Sequence, residues 1–175
     1  MLIQKPILGI SSCLLGEKVR YDGRIRHYQN LIEQLQETFE FISFCPEVAS
    51  GLPVPREPMD LFVLNGEIKM LTVNSQKDIT PAILRAGNEV IDSYMEREVC
   101  GFVFKAKSPS CGLRLAKVHT DKMVIRNGIG LFAQAFKEVF PELPVATELD
   151  LENLKFRKQF ISSVLTVSYE KLKFN

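Results

Sequence analysis

The apolar run Phe41-Ile42-Ser43-Phe44 opens directly into Cys45-Pro46-Glu47, and Gly51, Pro53 and Pro55 stiffen the chain from there to Arg56. Proline presets φ and lowers the entropy lost on ordering a loop, while glycine admits backbone conformations closed to other residues. A thiol, a carboxyl and a guanidinium are thereby held close together at the end of a buried strand. A loop built only to connect has no need of that rigidity. One that must hold reactive groups in place does.

The rest of the chain can be read around that strand. Ile7 to Ser12 is a second compact apolar run, consistent with a parallel strand buried on both faces. Tyr28, Leu31, Ile32, Leu35 and Phe39 recur at the helix period between the two. Strand, helix and strand at this spacing make one βαβ unit. Asn65-Gly66 between Asp60–Leu64 and Lys69–Val73 is a hairpin signal, read here as an insertion at the edge of the sheet. Thr80-Pro81 starts a long helix, Val99–Lys105 is a third buried strand, and Leu131 to Phe140 is amphipathic. Leu143–Thr147 reads as a fourth strand, and Asp150 as the cap of a last helix. Strands alternating with helices predict an α/β fold: a three-layer, Rossmann-like domain with a mostly parallel sheet and a β-hairpin insertion. Its 175 residues suit a single domain over positions 1–175.

Bulk properties remove several functions. The formal net charge of +1 sets up no global field toward nucleic acid or a membrane surface. Lys18, Arg20, Arg24 and Arg26 lie close together and read as a solvated loop. No apolar run approaches the roughly 20 residues of a membrane helix, and the N-terminus carries no leader pattern. Four widely spaced cysteines are too few for a disulfide scaffold, so a reducing, cytoplasmic setting is expected.

Cys13, Cys45 and Cys111 fall at or just after predicted strand ends, where ligands bind in parallel α/β sheets. Neighbouring strands lie about 4.8 Å apart, which brings these thiols to one edge. Cys100, inside a strand, reads as core. No Cys-x-x-Cys pair is present, and His27 and His119 are poorly placed to supply a fourth ligand. Three thiolates with an open position suit either an iron–sulfur cluster or zinc. Glu47, two residues from Cys45, is the leading acid–base candidate. Ser108 and Ser110 serve either as donors to a ligand or as turn closers. Tyr21 offers a ring for stacking, and Asp22 and Arg56 offer polar contacts to substrate. Asn127-Gly128-Ile129-Gly130 lacks the remainder of a phosphate-binding pattern.

Cys13-Leu14-Leu15-Gly16 with Val19–Gly23, Cys45-Pro46-Glu47 with Gly51–Arg56, and Lys107–Gly112 together resemble the DUF523 family, whose characterised members are thiouracil desulfidases. The resemblance spans essentially the whole chain. It departs at Ser50-Gly51, where the family carries two glycines, and at Asp60, often a glutamate. It implies a [4Fe–4S] cluster held by Cys13, Cys45 and Cys111, with one iron open. It also implies a small thiolated base as substrate, with Glu47 and Ser108 as the catalytic pair and Tyr21, Asp22, Arg56 and Ser110 around the substrate. The alternative is a non-catalytic zinc- or cluster-binding sensor, which would have no use for Glu47.

Overall fold

The computed structural model describes residues 5–26 and 28–174. His27 lies outside them. β1 (Ile7–Ser11) and β2 (Glu40–Phe44) pair in parallel from Ile7 opposite Glu40 to Ser11 opposite Phe44. α1 (Gln29–Gln36) connects them, so the expected βαβ unit forms. β5 (Phe102–Phe104) pairs with the other side of β1, and β8 (Val145–Thr147) lies beyond it. The order is β2-β1-β5-β8, all parallel.

Such a sheet needs apolar residues on both faces of its central strands, because helices cover both. Leu8, Ile10 and Val103 pack with Leu35, Phe39, Phe160 and Val164, on the side of α1 and α5 (Leu154–Phe174). Phe102 and Phe104 face the other way, onto Tyr94 of α3 (Thr80–Glu96) and Phe132 and Phe136 of α4 (Leu131–Val139). Alternation along β5 decides which ring goes where.

The hairpin forms as expected, but not where expected. β3 (Met59–Leu64) and β4 (Glu67–Thr72) run antiparallel, with Leu64 opposite Glu67. Asn65 and Gly66 turn between them at φ of 52° and 83°, as a primed hairpin turn requires. The hairpin is not an edge insertion on the parallel sheet. It joins β6 (Ala116–His119) and β7 (Val124–Gly128) in a second, mixed sheet ordered β4-β3-β6-β7. The sequence pattern predicts no strand over β6 or β7. Only Ala116 and Val118 of β6 are fully buried, and no residue of β7 is, so the alternation is too faint to register. Met59, Leu61, Met70, Ala116 and Val118 rest on Ile79, Ile83 and Leu131. α3 and α4 are therefore packed between two sheets.

Asp150 does not cap the last helix. Asn153 does: its Oδ1 accepts the Phe156 N–H at 3.0 Å. The Asp150 carboxylate instead accepts the Thr147 N–H at 2.8 Å and the Thr147 hydroxyl at 2.6 Å, and pairs with Arg114. Burial pushes this carboxyl up, but the Thr147 hydrogen bonds and the Arg114 guanidinium outweigh it and hold it below its ordinary value. A depressed carboxyl stabilises the fold above its unfolded-state pKa, and that contribution is lost as pH falls through the folded value. Asp150→Ala is expected to cost about 1–2 kcal/mol at neutral pH. In urea titrations the gap from the parent should close in acid. Among the described residues no helix is long and apolar enough to cross a membrane.

Candidate active site

Leaving β1, the chain turns to β2 on one side and later returns to β5 on the other, so the parallel sheet switches direction at β1 and β5. Ligands bind in such sheets at the crevice outside the carboxyl ends of the strands. Cys13 sits in the single 3-10 turn after β1, Cys45 directly follows β2, and Cys111 lies in the loop after β5. All three border one cavity of about 560 Å³. Its opposite wall comes from the second sheet through Met59, Asp60, Lys117 and Arg126. The cysteines are unbridged. Burial, then the charge of Cys45, pushes the Cys13 thiol up to about 12. Burial also raises Cys45. Cys111 is raised by burial, then by Cys45 and Cys13. Cys13 feels Cys45 and Cys111 feels both, so strands distant in sequence have carried the three thiols to one place.

Cys45 is followed by Pro46 at the first position of α2 (Pro46–Ala49), where a missing N–H costs nothing. That turn projects Glu47 into the cavity. Its Oε1 accepts the Ser110 hydroxyl at 2.7 Å, and its Oε2 accepts Arg56 Nε at 2.8 Å and also Arg56 Nη2. Arg56 further donates to the carbonyls of Val19 at 2.8 Å and Pro53 at 3.2 Å. The carboxylate is thus gripped on both oxygens, with the proline-rich loop wrapped around its guanidinium partner.

The Cys111 loop closes on Ser108, whose Oγ accepts the N–H groups of Ser110 at 3.2 Å and Cys111 at 3.1 Å. The loop is then tied to the start of α4, where Leu131 N–H donates to the Pro109 carbonyl at 3.1 Å and Phe132 N–H to the Ser110 carbonyl at 2.9 Å. The first N–H groups of α4 are therefore spent inside the chain, and Asn127–Gly130 is no phosphate cradle. Gly130 is needed for another reason. A Cβ there would lie 2.4 Å from the Ser110 carbonyl carbon and 2.6 Å from the Cys111 nitrogen. Gly130→Ala is expected to cost roughly 1–3 kcal/mol, as overpacking does, and to push Cys111 out of place. Urea melts combined with bound-iron measurements check both effects.

A profile of the 2-thiouracil desulfurase family matches residues 8–148. The chain belongs to that family. YbbK of Bacillus subtilis (strain 168), an uncharacterized protein, is 30% identical over 109 residues, covering 59% of this chain and 71% of YbbK. Among solved structures, the [4Fe-4S]-dependent thiouracil desulfidase TudS matches with a TM-score of 0.67 at 28% identity, over 89% of this chain and 98% of that one. The desulfurase match runs from β1 through Glu148 and includes the three cysteine loops, leaving α5 outside.

Seven of the nine expected site residues line this cavity: Cys13, Tyr21, Cys45, Glu47, Arg56, Ser108 and Cys111. Ser110 is fully buried behind the wall, bonded to Glu47. Asp22 does not reach the cavity, since both its oxygens are taken by Arg20 at 3.1 Å and one also accepts the Arg24 N–H. Cys100 lies in the core between the parallel sheet and α5. His119 stacks on Phe62 and sits 2.9 Å from Asp60. Among the described residues, no three His, Cys, Asp or Glu side chains come together tightly enough for a lone metal ion. The sequence reading did not single out Asp60 as a wall residue, nor Lys105, Lys117 and Arg126. Nothing local marks them, because strand register alone brings them there.

Proposed function

We propose that this chain is an iron–sulfur-dependent desulfidase that converts a thiolated pyrimidine, thiouracil, to its carbonyl counterpart with release of sulfide. The observation that carries this reading is the wall of one cavity, where three separately delivered thiols meet a carboxylate gripped on both oxygens. The donor set fits a cluster. It is all sulfur, its members surround a space rather than closing on a point, and no fourth cysteine or described histidine joins them. Cys13, Cys45 and Cys111 would hold a [4Fe–4S] cluster, which supplies one iron with an open position as a Lewis acid toward sulfur. The sensor alternative with a closed zinc site needs four converging ligands, which the described residues do not offer.

The chain's own groups complete the chemistry. Water replaces sulfur at the ring carbon, so the thione and water give the carbonyl and hydrogen sulfide with no net change of oxidation state. Glu47, paired with Arg56, takes a proton from that water. Ser110 and Arg56 are positioning residues for it. Both backbone N–H bonds at Ser108 go to its oxygen, leaving the hydroxyl hydrogen to donate to substrate. Tyr21, 42% exposed at the cavity wall, offers its ring to the flat base.

The test is direct. Protein reconstituted without oxygen is mixed with 2-thiouracil and with 4-thiouracil, and uracil and sulfide are measured beside iron and acid-labile sulfide. Equal yields of uracil and sulfide from iron-loaded protein are expected. Colourless protein with stoichiometric zinc, or iron-loaded protein that makes no uracil from either compound, overturns the proposal.

A further inference from the structure

Glu148, at the end of β8, is 1% exposed. A carboxylate taken that far from water must be compensated by partners. Its Oε2 accepts the Ala106 N–H at 2.7 Å, and its Oε1 pairs with Lys105 Nζ. Lys105 Nζ also donates to the Ala106 carbonyl at 3.1 Å and lies 6.0 Å from the Tyr28 ring centroid. The Lys105 N–H donates to Ser11 Oγ at 3.0 Å, which ties β5 to the end of β1, two residues before Cys13. Lys105 lines the same cavity as the three cysteines. A buried ion pair adds little stability over an apolar pair of the same volume, so stability alone is a poor reason for this one. Nothing in the reaction as derived above uses it.

We propose that Lys105, clamped by Glu148, is the electrostatic positioning residue of the cavity, offsetting the negative charge that the three thiolates and a departing sulfide bring to the Cys13 side. The proposal rests on the desulfidase reading. Three thiolates in a poorly solvated cavity repel one another, and a cation held in place beside them lowers that cost. Lys105 and Arg20 both line the cavity with Cys13. Arg20 is already bound through two nitrogens to Asp22. Lys105 lines the cavity and Glu148 does not, so the cationic partner of the pair is the one on the side of the three cysteines.

Reconstituted parent protein, Lys105→Met, Lys105→Arg and Glu148→Gln are compared by the reduction midpoint of the bound cluster and by inhibition with added sulfide. Lys105→Met is expected to lower the midpoint and weaken sulfide inhibition about tenfold. Glu148→Gln is expected to raise the midpoint, and Lys105→Arg to stay near the parent. Lys105→Met and Glu148→Gln break the same ion pair, so a purely structural role would move both in one direction. Shifts of the same sign, or an unchanged midpoint in Lys105→Met, overturn the proposal. If Lys105→Met takes up no cluster, Glu148→Gln decides alone: an upward shift supports the proposal, and any other result overturns it. The two readings fail separately, since the midpoint is measured whether or not thiouracil is turned over.

Discussion

Alanine at Cys13, Cys45 or Cys111 should remove bound iron and thiouracil turnover together, and alanine at Cys100 should remove neither. Losing an outer partner of a metal ligand costs about 10–100-fold, and losing the ligand itself should exceed that. Unfolding would not account for the loss. Cys13 and Cys45 are only partly buried, and Cys111, at 5% exposed, sits in a loop held by backbone hydrogen bonds that alanine keeps. Cys100 is the internal control. It is the same substitution in a buried position, 4% exposed, where the thiol donates to the Glu98 carbonyl at 3.3 Å within the apolar core and does not line the cavity. It is expected to lower stability by about 1 kcal/mol while leaving iron per chain and kcat/KM close to the parent. Iron content, kcat/KM and a urea melt on the four variants decide the matter. Full iron retained by any of the first three overturns the assigned ligand set.

Glu47→Gln should keep the iron and lose about 10²- to 10⁴-fold in kcat, the range that general acid–base catalysis supplies. Glutamine keeps the shape: with its single oxygen toward Arg56 and its amide N–H donating to Ser110 Oγ, the pocket should stay assembled. Only the basicity goes. Ser110→Ala removes one of the two grips on the carboxylate and should cost about tenfold, within the range for an outer partner. The informative measurement is the double variant. If Ser110 acts through Glu47, its removal from Glu47→Gln should add almost nothing, because residues working as a unit are not additive. Fully additive losses would mean that Ser110 acts on its own. Arg56→Met leaves a part-buried carboxylate without its cation and should lower stability as well as rate, since one half of a buried pair is costly to leave alone.

Much of this architecture is visible along the chain because its elements are local. Parallel strands covered on both faces appear as continuous apolar runs, and α1, α3 and α4 each carry an apolar stripe at the helix period. Cysteines placed where those runs end were enough to expect a shared edge, and the cavity has Cys13, Cys45 and Cys111 on its wall. Asn65-Gly66 specified its own turn. The hairpin's destination was another matter, because a turn says nothing about which sheet its strands will join. β6 and β7 escaped notice since strands with so few fully buried residues barely differ from a polar loop.

The remaining decisions are made by pairings between distant residues. Glu148 meets Lys105 across 43 positions, and Ser110 meets Glu47 across 63. Asp22 is taken up by Arg20 and does not itself line the cavity, through side-chain geometry that its Asp-Gly context does not reveal. Gly130 lies against the Cys111 loop through packing of α4 on β5, which its neighbours in sequence do not reveal. Period and punctuation act over a few residues, so one strand of sequence can carry them. Strand register and side-chain reach act across the whole fold, and exist only once the sheets have assembled.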